Sequence, residues 1–338
     1  MSGYSELLIY KNLIDKELEF LFDENYKIAF FAKQALSKGK RFRAILALLW
    51  CEGFNQDYRL ALPIAIAYEL AHTAALIQDD IIDASKYRRG YESLTSKLGL
   101  NKALLLANFF LFEIPKRLLE YKGKIEEDKL YALLNIIGET CKLTTLGEYL
   151  DQEFINRDFV SEEDYIKMVK MKTGALMAAP CSCGAIVGNA DTKGFNLAYT
   201  FGENLGISYQ ILDDMLDIFG KEDLRESFND LRNGKKSIIL IHTLKRCSKE
   251  EREFLKSFQG SEDLNEEEKR KVREIFAKYG SFEYARNLGK QYLDKALSSL
   301  EEVPNPSVRY KIKILTNFIL EKFQEKLIQD KYIYKVRF

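Results

Sequence analysis

Residues 70–83 read LAHTAALIQDDIID, and residues 207–217 read ISYQILDDMLD. Each ends an apolar run on an Asp-Asp-x-x-Asp cluster: Asp79, Asp80 and Asp83 in the first, Asp213, Asp214 and Asp217 in the second. The apolar residues ahead of both clusters follow helical spacing, and residues three and four apart on a helix share a face. Asp79 and Asp83 therefore point one way with Asp80 beside them, and the second cluster repeats the pattern. Carboxylates crowded on one face repel each other unless cations lie between them, and an apolar helix is a poor place for solvated surface acids. Hard oxygen ligands favour magnesium, which keeps waters and shares itself with phosphate oxygens. All six aspartates are expected to hold several Mg2+ ions, which would offset the charge that builds on a diphosphate leaving group.

Outward from these runs the pattern stays helical. Ile45, Leu46, Leu48 and Leu49 begin one apolar face, and Leu62, Ile66, Leu70 and Ile77 mark another. No long stretch alternates with period two, so no strands are expected. Short polar breaks fall at Glu52–Asp57, Ser85–Ser96, Tyr121–Asp128, Asn156–Glu163, Lys221–Lys236 and Gln259–Asn265, none of them resembling an interdomain linker. The expectation is an all-α fold, one domain over residues 1–338, built as a large bundle of ten or more helices. The charge run Glu266–Lys271 reads as a solvated helix face.

Lys plus Arg and Asp plus Glu both number 51, so net charge gives no reason to expect nucleic acid or an anionic membrane as partner. Cys51, Cys141, Cys181, Cys183 and Cys247 have no paired CxxC spacing and read as idle thiols in a reducing compartment. No uninterrupted apolar run reaches the ~18 residues of a membrane span. With no signal peptide at the N-terminus, a soluble cytoplasmic protein without an integral membrane segment is expected.

The two clusters, with further motifs in order from about Ser37 to Lys236, resemble the trans-isoprenyl diphosphate synthases, the family of farnesyl, geranylgeranyl and longer polyprenyl synthases. The family's GKxxRP motif appears as Gly39-Lys40-Arg41-Phe42-Arg43-Ala44, with alanine in place of the proline. The resemblance implies that Gly39, Lys40, Arg43 and His72 bind isopentenyl diphosphate. In Arg88-Arg89-Gly90 it assigns Arg88 to the allylic diphosphate and Arg89 to the isopentenyl one; arginine's planar fork suits phosphate oxygens. Lys172, Thr173 and Gln210 match the groups beside the allylic substrate, Lys172 toward its diphosphate, Thr173 and Gln210 toward the developing cation. Asp230 and Lys235 match a later motif whose lysine also holds allylic diphosphate, and Tyr209 takes a position near the prenyl chain. Gly147-Glu148 with Asp151 is a variant of a usual Gly-Gln, and Arg225 stands loosely where a lysine is usual.

The implied fold is the isoprenoid synthase fold around a central prenyl-chain cavity, and the implied assembly is a homodimer. The implied reaction is ionisation of the allylic diphosphate, attack by isopentenyl diphosphate and loss of a proton. A terpene cyclase has no need of Lys40, Arg43 and Arg89. A di-iron carboxylate bundle needs a second Glu-x-x-His beside Glu69–His72, and Ile239 precedes His242 instead. A non-catalytic subunit of a heteromeric synthase typically loses aspartates that are intact here. Product length is read from side chains ahead of Asp79: Ala75, Ala74 and Ala71 are small, and Tyr68, eleven residues before Asp79, is the first bulky residue on that face. That depth implies geranylgeranyl diphosphate, with longer or shorter polyprenyl products as the alternative. The basic tail residues Lys335 and Arg337 read as a frayed, solvated end or as a cover for the site.

Overall fold

The computed structural model describes residues 4–23, 25–37, 39–54, 57–88, 91–220, 227–261, 264–325 and 327. Helices run in the order α1 (Leu8–Glu19), α2 (Lys27–Leu36), α3 (Phe42–Gly53) and α4 (Leu62–Ile82). After α4 comes a hairpin, β1 (Tyr87–Arg88) and β2 (Tyr91–Glu92), pairing Tyr87 with Glu92 and Arg88 with Tyr91. Then follow α5 (Leu94–Leu98), α6 (Leu100–Leu119), α7 (Glu127–Ile155), α8 (Glu162–Val169), α9 (Ala175–Val187) and α10 (Thr192–Phe219). The chain ends with α11 (Asn229–Arg232), α12 (Ile238–Leu244), α13 (Lys249–Lys256), α14 (Glu266–Lys278), α15 (Ser281–Ser298) and α16 (Pro306–Gln324). The fold is all-α. The expectation of no strands is corrected by one ladder, two residues per strand, too short to leave an alternating pattern in sequence.

Helix boundaries follow local chemistry. Pro63 sits in the first turn of α4, where its missing N–H costs nothing. Ser161, Ser248 and Asn265 each close a capping box with an acid three residues on, starting α8, α13 and α14. Within the Glu266–Lys271 run Lys269 departs from the solvated reading: it is buried and bonds Glu266 one turn back at 2.9 Å.

Two compact units make up the chain. The first comprises residues 1–142, 176–202 and 297–318; the second, residues 143–175, 203–296 and 319–338. In the first, the core is lined by Ile45–Trp50 of α3, Ile64–Tyr68 of α4 and Leu106, Ala107 and Phe110 of α6. By length and composition alone, Tyr58–Ile82 is apolar enough to cross a membrane, but 67% of its apolar window is buried in the protein, as in a core helix. In the second, Ile207, Ile211 and Met215 of α10 pack in one apolar cluster with Tyr165, Ile238, Ile239, Phe276 and Phe282.

Candidate active site

In the first unit the Gly39–Arg43 loop is fixed by a residue that sequence reasoning passed over. Arg41 precedes α3 in the left-handed conformation (φ 62°), and its side chain is only 4% exposed. Its Nε donates to Asp15 of α1 at 2.7 Å, Nη1 to Glu69 of α4 at 3.1 Å, and Nη2 to the Leu36 carbonyl that ends α2. A Cβ on Gly39 would lie 2.0 Å from Arg41 Nη1. Gly39 is glycine to admit that guanidinium, a reason distinct from touching a substrate. The exposed Lys40 and half-buried Arg43 flank this anchor. Arg43 Nη1 lies 3.1 Å from His72 Nε2. An arginine only donates, so Nε2 must accept, which puts the imidazole proton on Nδ1.

On α4, exposure marks one stripe. Asp83, Asp79, Ala75, Leu76 and His72 are all partly accessible, whereas Ala71 (5%), Tyr68 (0%) and Ala74 (0%) are buried. At about 100° per residue, Tyr68 and Ala75 lie almost under Asp79, while Ala74 lies about 140° away on another face. Tyr68 is pinned: its hydroxyl is 3.5 Å from Cys183 Sγ of α9. Burial raises both Cys183, to about 12, and Cys51, to about 12, as befits inert thiols. Phe112 is 76% exposed on α6, while Phe110 packs against Phe22.

Asp80 differs from its neighbours. Its carboxylate is buried and accepts from Arg88 Nε at 2.6 Å. Burial pushes its pKa up; Arg88 opposes that, while Asp79 and Asp83 add to it. Arg88 is carried back by the turn after α4: Ser85 N–H bonds the Asp80 carbonyl, and Ser93 Oγ bonds the Ser85 carbonyl at 2.6 Å. Arg89 lies outside the described residues, as do Arg225, Lys335 and Arg337.

In the second unit, Lys172 and Thr173 sit on a π-helical turn, Lys170–Gly174, between α8 and α9. Such turns are frequent at functional positions. Close backbone approach holds it: a Cβ on Gly147 would lie 2.3 Å from Lys172 N, and one on Gly206 2.9 Å from the Thr173 carbonyl. Lys172 Nζ lies between Glu148 at 2.5 Å and Asp151 at 3.0 Å, both on α7. Thr173 Oγ1 donates to Gln210 Oε1 at 2.8 Å, and Gln210 Nε2 donates to Asp214 Oδ1 at 3.0 Å.

The second aspartate cluster also divides. Tyr209, Gln210 and Asp213 are partly accessible on α10, whereas Asp214 and Asp217 are 4% and 0% exposed. Asp214 Oδ2 accepts from Tyr165 at 2.7 Å and from Ile238 N–H at 3.2 Å. Burial, then the charge of Asp230, raises its pKa, against those hydrogen bonds. Asp217 accepts from the N–H groups of Asn229 at 3.0 Å and Asp230 at 3.2 Å, so it caps α11 from α10. That cap leads to Lys235, whose N–H bonds the Asp230 carbonyl at 2.8 Å.

The donor chemistry fits magnesium, and within each cluster the acids differ in exposure. Among the described residues no three His, Cys, Asp or Glu side chains already form a metal-binding group. Asp79, Asp83 and Asp213 are the partly accessible acids; Asp80, Asp214 and Asp217 are committed to Arg88, to Tyr165, Gln210 and Ile238, and to α11. Magnesium typically takes one or two carboxylates and completes its shell with water and substrate phosphate. His242, the other histidine, is buried, bonded to Ser281 at 2.8 Å and stacked on Tyr284, a core residue.

Each unit thus carries an apolar helix with accessible acids near its end, Asp79 and Asp83 in the first and Asp213 in the second. The polyprenyl synthetase family model matches residues 27–276, and the chain belongs to that family. It is 32% identical over 288 residues to the geranylgeranyl diphosphate synthase of Saccharolobus solfataricus, covering 84% of this chain and 86% of the relative. It is 33% identical over 286 residues to a short chain isoprenyl diphosphate synthase of Methanothermobacter thermautotrophicus, covering 84% and 86%. The structure of geranylgeranyl pyrophosphate synthetase from Pyrococcus horikoshii superposes with a TM-score of 0.86 at 26% identity, over 95% of this chain and 98% of that one. The chain is accordingly a chain-elongating prenyltransferase with the isoprenoid synthase fold.

Proposed function

We propose that the chain condenses isopentenyl diphosphate with an allylic diphosphate in the presence of magnesium, and that its main product is geranylgeranyl diphosphate. The observation that carries the product length is the accessible stripe of α4, which begins at Asp83 and Asp79 and ends on fully buried Tyr68. From Ala75 to Tyr68 a helix rises about 10 Å at roughly 1.5 Å per residue. An isoprene unit spans about 5 Å on ordinary bond lengths. The depth beyond an aromatic floor at Ala75 thus admits about two further units. The two relatives from Saccharolobus and Pyrococcus, both named for geranylgeranyl diphosphate, support the same length. Ala75→Phe should shorten the main product by one or two units and Tyr68→Ala should lengthen it, read by chromatography of products from labelled isopentenyl diphosphate. An unchanged product from Ala75→Phe rules out this face as the path of the chain.

Asp79, Asp83 and Asp213 would hold magnesium, which when bound draws charge from the departing diphosphate. Lys40, Arg43 and the Nδ1–H of His72 grip isopentenyl diphosphate, and Arg88, anchored to Asp80 through Nε, offers its remaining donors to the allylic diphosphate. Lys172 and Lys235 serve that same allylic diphosphate. Thr173 and Gln210 present oxygens to the allylic cation, and the protein's own contribution is position and charge. Lys40→Ala or Arg43→Ala should raise KM for isopentenyl diphosphate about tenfold or more, the usual scale for a charged hydrogen bond, whereas Lys172→Ala should raise KM for the allylic substrate. If all three raise only the allylic KM, the roles are assigned wrongly.

The working form we propose is a homodimer, supported by α6, which exposes Leu104 (44%), Leu105 (61%), Phe112 (76%) and Leu119 (61%) on one side. Phe112→Asp should convert a dimer to a monomer in sedimentation; a wild-type monomer at working concentration removes the proposal. A cytoplasmic location accords with the free thiols.

A further inference from the structure

Tyr165, Asp214, Gln210 and Thr173 form one hydrogen-bonded series in the second unit, and its direction is set at the carboxylate. Three donors converge on Asp214: the Tyr165 hydroxyl at 2.7 Å, the Ile238 N–H at 3.2 Å and Gln210 Nε2 at 3.0 Å. Oδ2 is taken by the Tyr165 hydroxyl and the Ile238 N–H, and Oδ1 accepts from Gln210 Nε2, so Gln210 turns its amide nitrogen toward Asp214 and its oxygen the other way. That oxygen takes the Thr173 hydroxyl proton at 2.8 Å. The Tyr165 and Thr173 hydroxyl protons are therefore both spent within the series. What the Thr173 oxygen keeps for a substrate is a lone pair, and a lone pair attracts an allylic cation where an O–H proton repels it.

We infer that Tyr165 and Asp214 are positioning residues that set the direction of the Thr173 hydroxyl, and that Asp214 works through this series and not as a metal ligand. Tyr165 stands on α8, 1% exposed, and its hydroxyl has a stated task at Asp214 that packing alone does not require. The inference rests on the reading of Thr173 and Gln210 as the groups beside the allylic cation.

Asp214→Asn keeps the shape of the side chain but adds an N–H donor, so Gln210 can turn over and the Thr173 proton is no longer committed. Its kcat should fall about 100-fold, the scale for losing one oriented dipole in a reaction site, with KM for both substrates within about threefold, a shift of under 1 kcal/mol. Tyr165→Phe should lower kcat about tenfold, in keeping with one lost hydrogen bond to a charged group. Titration calorimetry of inorganic diphosphate with magnesium should give wild-type affinity for both variants and weakened affinity for Asp213→Asn. Circular dichroism checks the fold, and if Asp214→Asn does not fold, Tyr165→Phe decides. The inference is overturned if both variants keep wild-type kcat while Thr173→Val loses it, and equally if Asp214→Asn loses magnesium-dependent diphosphate binding as Asp213→Asn does. A Thr173→Val variant with wild-type kcat instead removes the underlying reading of Thr173, and the inference with it.

Discussion

Asp79→Ala and Asp213→Ala should each lower turnover by about three or more orders of magnitude while the helices persist. Both side chains are partly accessible, unlike the buried Asp80, Asp214 and Asp217. What they lose is charge at a leaving group, and stabilisation of that kind supplies several kcal/mol in enzymes that use metals. Chelator should abolish activity in the wild type, and added magnesium should restore it. The neighbouring acids should behave differently. Asp217→Ala leaves the N–H groups of Asn229 and Asp230 without their acceptor, and a buried donor left unsatisfied costs about 1–3 kcal/mol. Turnover with labelled isopentenyl diphosphate, measured beside thermal unfolding, separates the two kinds of aspartate. Near-normal turnover in Asp79→Ala or Asp213→Ala would falsify the metal assignment.

That division inside each Asp-Asp-x-x-Asp cluster was not legible in the sequence. Helical periodicity places Asp213, Asp214 and Asp217 on adjoining faces, but which one meets Tyr165 or Asn229 depends on chain 49 or 12 residues away. The helices themselves were legible, because their starts are written in local chemistry. The expected break at Asn156–Glu163 ends on Ser161, whose capping box begins α8, and the break at Gln259–Asn265 ends on the Asn265 cap of α14. The π turn at Lys170–Gly174 left no such trace, since Lys170, Met171 and Lys172 are ordinary helix formers and the close passage of Gly147 and Gly206 against it comes from elsewhere in the chain. The hairpin was missed for the opposite reason: four residues are too few to show a period. Motif resemblance singled out Lys40 and Arg43 yet passed over Arg41 between them, since a variable position in a motif says nothing of where its side chain goes.

Arg41→Ala should destabilise the protein by about 3–5 kcal/mol, the usual scale for removing one partner of a buried ion pair. The guanidinium is 4% exposed and its partner Glu69 5%, so the substitution leaves the Glu69 carboxylate buried without its counter-charge. It also removes a donor from Asp15 and from the Leu36 carbonyl, loosening the joins of α1 and α2 to the start of α3. Asp15 is 34% exposed and also pairs with Lys11, so its share of the loss is the smaller. Arg41→Lys keeps the charge but cannot reach three acceptors with one ammonium, and should cost about 1–2 kcal/mol. Gly39→Ala supplies the decisive comparison. Its Cβ would sit 2.0 Å from Arg41 Nη1, so in the wild type it must drive the guanidinium off Glu69. In an Arg41→Ala background that obstacle is gone, and Gly39→Ala should cost almost nothing more. A double-mutant cycle read by chemical denaturation should therefore show a coupling of about 2–3 kcal/mol between two residues only two apart. Additive losses would mean that Gly39 is glycine for its backbone and that Arg41 does not hold the loop carrying Lys40 and Arg43.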